Sequence, residues 1–556
     1  MASVSRMVVV GLDGATFDLI KPWAAEGKLP TFARLLAEGA HAELRSTLPA
    51  LTPPAWTSAA TGKNPGKHNV YNFYKVSGGG TGKLPLTPAD LRSRRVWDIA
   101  NVYGKRAGVV HLPLTYPPEH LDGFVVSGIM TPKGVEDYTF PPELRDELQA
   151  HVDGYRFDVD ADALKVGDLR AFAEDAFELQ RIQTAEMLYL FEHKRWDLLW
   201  VMFHTLDKLQ HFFWHLMDPT HPAHPGATEF ADVVLRFHQL LDEALAGVLA
   251  RLDDDTGLLV MSDHGSCRLE SYFLIMNWLE DTGFLRMKNA ARSPLKRALG
   301  GMGIEARGIV QSLRRAGLGW VPRLVPGRLK AQVPQARASF ARIAPHVDWS
   351  GTRVYCPSAP GSGLRVNLRG REAEGIVAPE DYDRVCEEVR ARLLTIVDPK
   401  TGRHVVHAVH RREEIYAGPY VDNGADLLVE TTDSYCLIEG MGPAAIVPAG
   451  QNDGERTGNH RREGIFLLAG AGARRGVALP TLDICDVAPT LLYLLDVPVQ
   501  QDMDGAVAQG AIAPELLAAR DVRTDQLAAP AEVAATEMSD QDRRAIEGML
   551  EGLGYL

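Results

Sequence analysis

The chain has 556 residues, 46% of them apolar and 24% charged, which is the composition of a water-soluble globular protein of up to about three or four domains. Its 72 Asp and Glu outnumber 59 Lys and Arg, and the net charge of −13 excludes general nucleic-acid binding by the whole chain. Five cysteines (Cys267, Cys356, Cys386, Cys436, Cys485) lie far apart with no CxxC, which speaks against a disulfide framework or a zinc finger and for reduced thiols in a cytoplasm.

The first element, "MVVVGL" (7–12), is too short for the apolar region of a signal peptide and reads as a buried strand. Similar continuous apolar runs follow at 107–112, 197–203, 257–262, 426–431 and 464–470. Hydrophobicity that does not alternate marks strands covered on both faces. Helical patterns separate them, notably at 167–194 and 227–252, so the expected fold class is α/β, a doubly wound, mostly parallel sheet. No stretch approaches the length of a transmembrane helix.

Residues 288–342 interrupt this rhythm with twelve Lys and Arg against one acid, Glu305. The expected organisation is an α/β core in two parts, 1–265 and 351–513, divided by a basic insertion or cap at 266–350. An Ala-rich linker and a C-terminal helix follow at 514–556. The insertion interleaves Leu, Val and Trp320 with Arg314, Arg315, Arg323 and Arg328. That pattern suits a solvated basic surface, a lid that attracts an anionic substrate, or a peripheral contact with anionic lipid.

Two Gly-Lys stretches resemble phosphate loops and fail on inspection. In "TSAATGKNPGKHNV" (57–70), Asn64 and His68 follow the lysines where Ser or Thr is required, and "SGGGTGK" (77–83) begins with Ser77 and continues into Leu84.

In open α/β sheets, ligands gather beyond the carboxyl ends of the strands. Asp13 follows "VVVGL"; Asp207 and His211 follow "DLLWVMFHTL" at a spacing that shares one helix face; Asp263 and His264 follow "GLLVMS"; His460 precedes "IFLLAG". A single Asp there is usually a helix cap, and a single His usually a satisfied hydrogen-bonding group. Three of each on one sheet edge suit a pair of divalent ions, which clamp an in-line displacement at phosphorus when about 3.5–4 Å apart. Upstream, Thr52 precedes Pro53 and Pro54, so a helix should start with Thr52 as N-cap and offer free N–H groups to a phosphate. A metal on the Thr52 oxygen would make it an attacking alkoxide.

These residues together resemble the alkaline phosphatase superfamily. The matching features are Asp13 in "GLDG", Thr52 with Thr61-Gly62 nine residues on, "NPGKH" ending at His68, Asp207-x-x-x-His211, Asp263-His264-Gly265, His460, and "LDICDVAPTLLYLLDVPVQQDMDG" (482–505). The nearest branch is the type I phosphodiesterase/nucleotide pyrophosphatase group, with its phosphohydrolase and phosphomutase relatives. The resemblance implies one ion held by Asp207, His211 and His460, and a second held by Asp13, Asp263, His264 and the Thr52 oxygen, with Zn2+ the first choice and Mn2+ the second. It also implies Asn72 as a binder of a phosphate oxygen, with an offset of one position. A sulfatase would have Cys or Ser at position 52 and Arg at 56; Thr52 and Trp56 depart from that.

The expected function is therefore a two-metal hydrolase of phosphate esters, the substrate being a small molecule or a lipid, through a phospho- or nucleotidyl-threonine. The alternative is a phosphomutase or phosphoryl or headgroup transferase that uses the same site; a binding protein that keeps only the fold is the third reading.

Overall fold

A computed structural model describes residues 4–77, 82–152, 154, 156, 158–160, 162–288, 340–358, 363–450, 455–528 and 539–552. Most of the basic segment expected at 288–342 lies outside them. Twenty strands organise the part that concerns the site. They are β1 (Arg6–Leu12), β2 (Ala40–Arg45), β3 (Tyr74–Ser77), β4 (Gly82–Pro85), β5 (Ala107–Val110), β6 (Gly123–Val126), β7 (Thr139–Phe140), β8 (Leu198–Phe203), β9 (Thr256–Met261) and β10 (Gly265–Leu274). The second half supplies β11 (Val354–Ser358), β12 (Gly363–Val366), β13 (Val406–Arg411), β14 (Leu427–Thr431), β15 (Ser434–Ile438), β16 (Ile446–Pro448), β17 (Gly458–Arg461), β18 (Glu463–Gly470), β19 (Val477–Ala478) and β20 (Leu482–Asp483). Helices of the first half are α1 (Phe17–Ala25), α2 (Pro30–Glu38), α3 (Thr52–Thr61), α4 (Pro65–His68), α5 (Val96–Val102), α6 (Glu143–His151), α7 (Asp162–Val166), α8 (Leu169–His193), α9 (Thr205–Met217), α10 (Val233–Leu249) and α11 (Ile275–Asp281).

The central sheet runs β19-β2-β18-β9-β1-β8-β5-β6-β7, with β20 also paired to β2. Its middle, β9-β1-β8-β5-β6, is parallel, while β18 is antiparallel to both β9 and β2. The apolar runs are continuous because successive residues serve two cores. Val8, Val10 and Leu12 face the layer of α1, α2, α8, α9 and α10, whereas Met7 and Val9 face α3, α5 and residues 484–497. The expected doubly wound α/β sheet is the fold observed.

One expected strand goes elsewhere. Residues 427–431 do not join the central sheet but pair antiparallel with β12 and β13 in the four-stranded sheet β11-β12-β14-β13, over a separate core. Only Leu427, Leu428 and Val429 are buried, and Glu430 and Thr431 are half-exposed. A run that short fits the interior of a small sheet as readily as the middle of a large one. The C-terminal helix Asp540–Gly552 sets Ile546 into a small cluster with Val70, Phe73 and Leu86. Among the described residues, no helix is long and apolar enough to cross a membrane, and all five cysteines are free.

Candidate metal centre

At the carboxyl ends of β1, β8 and β9 the chain delivers Asp13, Asp207 and the Asp263-His264 pair to one buried point. His211 joins from the first turns of α9, and His460 from β17. That strand pairs with β10 so that Ser266 lies opposite His460, carrying the last ligand across almost two hundred residues of sequence. His211 Nε2 lies 3.2 Å from Asp207 Oδ2, and His460 Nε2 lies 3.3 Å from Asp207 Oδ1. His264 Nε2 lies 3.4 Å from Asp13 Oδ1 and 3.3 Å from Asp263 Oδ2.

Each imidazole is fixed from behind. The Nδ1–H groups of His211, His460 and His264 donate to the carbonyls of Gly458 (2.9 Å), Ala50 (2.7 Å) and Gly265 (3.1 Å). A carbonyl can only accept, so the proton of each neutral ring sits on Nδ1 and the Nε2 lone pair points into the cluster. The consequence is severe at His211 and His460, whose Nε2 atoms face each other at 3.0 Å. Asp13 Oδ1, Asp263 Oδ2 and His264 Nε2 are buried without a hydrogen-bond partner. Lone pairs and carboxylates that converge in this way suit cations, which is the fit expected of a divalent-metal centre. Two groups of three have all ligand atoms within 4.8 Å, namely Asp207-His264-His460 and Asp13-Asp263-His264. His264 belongs to both, whereas the sequence assigned it to one.

The electrostatics agree. Burial, then the neighbouring Asp263 and Asp207, raise the Asp13 carboxyl well above its ordinary range, and burial with Asp207 does the same to Asp263. Burial opposes ionisation of Asp207 too, and it is the charged form of the facing His211 and His460 that would outweigh burial and hold that carboxyl well below its ordinary value. Burial, reinforced by Arg456, lowers the His211 imidazole to about 4. Arg456 carries no motif in the sequence, and only its charge near His211 reveals it.

The segment that carries Thr52 is locked to this centre by the His460 bond to Ala50 and by α3, whose Trp56 lies over Gly11 of β1. A Cβ at Gly11 would come within 2.4 Å of that indole, so only glycine lets the helix approach. Thr52 is 1% exposed and is the first helical residue rather than the N-cap, which is the extended Leu51. Its hydroxyl makes no capping bond. The expected cradle of backbone donors is also thinner than foreseen. Pro53 and Pro54 have no N–H, and the Ala55 N–H bonds Leu51 O, leaving the Thr52 amide alone in that turn.

The flanking "TGKNPGKH" is structural. Gly62 closes α3 at φ 67°, Lys63 pairs with Asp502 and Lys67 with Asp504 (2.5 Å each), and buried His68 bonds Ser58 Oγ at 2.9 Å. Asn72 is buried in the loop before β3, its Oδ1 accepting from the Phe73 N–H at 2.7 Å.

A family model described as type I phosphodiesterase/nucleotide pyrophosphatase matches residues 7–460. No curated protein matches the chain. Among solved structures, an inactive threonine-to-alanine variant of murine ectonucleotide pyrophosphatase/phosphodiesterase 5 in complex with AMP covers 92% of this chain and 100% of its own, with 12% identity and a TM-score of 0.50. Phosphonoacetate hydrolase from Sinorhizobium meliloti 1021 in complex with phosphonoformate covers 89% of this chain and 96% of its own, with 15% identity and a TM-score of 0.50. These likenesses establish the alkaline phosphatase-like fold.

Proposed function

We propose, since the chain belongs to the type I phosphodiesterase/nucleotide pyrophosphatase family of phosphoric ester hydrolases, that it is a two-metal enzyme that cleaves a small-molecule or lipid phosphate ester through a covalent intermediate on Thr52. The observation that carries this is the convergence of three carboxylates with three imidazoles whose lone pairs are all directed inward by Nδ1 bonds to backbone carbonyls. Asp207, His211 and His460 would hold one ion; Asp13, Asp263, His264 and the Thr52 oxygen would hold the other. Zn2+ or Mn2+ bound there supplies charge neutralisation at the phosphoryl oxygens and a lowered pKa for the Thr52 hydroxyl.

Everything else is done by the chain. Thr52 Oγ1, free of capping duty, attacks phosphorus and the first alcohol leaves. Water then displaces Thr52 and releases the phosphate product. Pro53 and Pro54 hold the helix start open but leave one amide to meet a phosphoryl oxygen, so the developing charge falls mainly on the cluster. Asn72 would bind a phosphoryl oxygen through its amide. The inactivity of the threonine-to-alanine variant of the murine protein supports a threonine nucleophile in this fold, and its AMP and the phosphonate of the bacterial protein support an anionic phosphorus ligand. Five free thiols fit a cytoplasmic setting.

The test is turnover of p-nitrophenyl phosphate, its phenylphosphonate ester and common nucleotides with Zn2+ or Mn2+, alongside elemental analysis. Two ions per chain and reversible loss of activity on chelation are expected. Full activity in chelator with no metal bound would refute the reading.

A further inference from the structure

Helix α9 turns a different polar side chain toward each of its neighbours, and one of them points away from the metal centre. Asp207 and His211 face the cluster, and Gln210 Nε2–H donates to Gly14 O at 2.9 Å, bracing the loop that follows Asp13. Lys208, adjacent to Asp207, is instead buried against Asp158, with its side chain 3% exposed and that of Asp158 6%. His204, the residue immediately before α9, places Nε2 3.1 Å from the same Asp158 Oδ1, and its side chain is 1% exposed. Asp158 comes from the segment between α6 and α7, fifty residues upstream. A Lys and an Asp sealed from water are tolerated only when paired, because removing one partner strands the other charge.

From this geometry we infer that Lys208 is a positioning residue of the metal centre: clamped by Asp158, which His204 bonds in turn, it fixes the rotation of the first turn of α9 and so the aim of Asp207 and His211. The inference rests on the two-metal reading of the site. An alternative role, that of a remote positive charge, has the opposite sign for metal binding. The Lys208 charge is felt at Asp13, where it lowers the carboxyl, so its mere removal would tighten binding of a divalent cation. Loss of position would weaken it, by the 10- to 100-fold typical of residues that orient metal ligands, roughly.

The experiment measures Mn2+ affinity and stoichiometry by titration calorimetry, and the visible spectrum of the Co2+-loaded protein, for wild type, Lys208→Met, Lys208→Arg and Lys208→Met/Asp158→Asn, each with its thermal midpoint. The inference predicts weaker binding of one ion and an altered Co2+ spectrum in Lys208→Met, with recovery to within a few-fold in Lys208→Arg. In the double variant the midpoint recovers, since no charge is stranded, but the affinity does not. Unchanged or tighter Mn2+ binding by Lys208→Met overturns the assignment, as does a double variant that regains affinity together with stability. Should Lys208→Met fail to fold, the double variant carries the decision alone. A wild-type protein that takes up no divalent ion refutes the two-metal reading itself, and the inference with it.

Discussion

Metal binding to this centre should expel a proton, and the sign and size follow from the cluster. In the metal-free protein, Asp13 and Asp263 are held well above the ordinary carboxyl range by burial and by neighbouring carboxylates, while Asp207 is held well below it. His211 is depressed to about 4 and His264 lies well below its ordinary value, so these imidazoles are already neutral at pH 6 and give up nothing. Two crowded carboxylates share one proton, and that proton must leave before both can serve as ligands. A raised folded-state pKa means that the metal-free fold binds more protons than the unfolded chain. The stability this contributes is therefore present at low pH and lost as pH rises through the raised folded value. Metal affinity runs the other way. For one displaced proton it tightens about tenfold per pH unit, or about 1.4 kcal/mol, until the pair is fully ionised. Calorimetric titration of the metal-free protein with Mn2+ at pH 6, in buffers of differing ionisation enthalpy, counts the proton directly. Asp263→Asn should abolish the release. A Kd that does not change between pH 5 and 7, with no buffer-dependent heat, would refute the shared proton and the crowding argument behind it.

Gly458→Ala is expected to weaken ion binding more than tenfold, because the added Cβ would lie 2.3 Å from Gln210 O and push the strand carrying His460 away from α9; wild-type affinity by calorimetry would contradict this. His211→Ala and Asp263→Asn should each reduce metal content from two ions to about one while leaving the fold intact by circular dichroism, since each removes a ligand from a different ion. Replacing Arg314, Arg315, Arg323 and Arg328 with Gln is expected to raise KM for an anionic substrate at low ionic strength, or to reduce binding to anionic vesicles. If neither quantity moves, the basic segment is ordinary surface.

The central sheet was legible because its strands are covered on both faces, which leaves uninterrupted apolar runs at β1, β5, β8, β9 and β18. The same signal misplaced β14, since three buried residues cannot tell a large sheet from a small one. Asp13, Asp207, Asp263 and His264 could be read from their places after strands, a rule of α/β topology. His460 stood out only as a histidine just before an apolar strand, because it arrives through an antiparallel pairing with β10 rather than at a strand's carboxyl end. What aims the imidazoles stayed invisible, because carbonyls of Ala50, Gly265 and Gly458 carry no side-chain identity. The Thr52-Pro53-Pro54 sequence reads as a cap at Thr52, but the extended conformation runs through Leu51, leaving Thr52 as the first helical residue. The clamp on Lys208 joins groups fifty residues apart and has no local signature.

The most direct test of the covalent mechanism is to quench the enzyme during turnover of a phosphorus-labelled substrate and to locate the label by peptide mass spectrometry. A phosphoryl or nucleotidyl adduct on Thr52 is expected in the wild type, and neither adduct nor turnover in Thr52→Ala that still binds two divalent ions. A Thr52→Ala variant that keeps more than about a tenth of wild-type activity, where loss of a nucleophile should cost orders of magnitude, would contradict it, as would a label on any other residue.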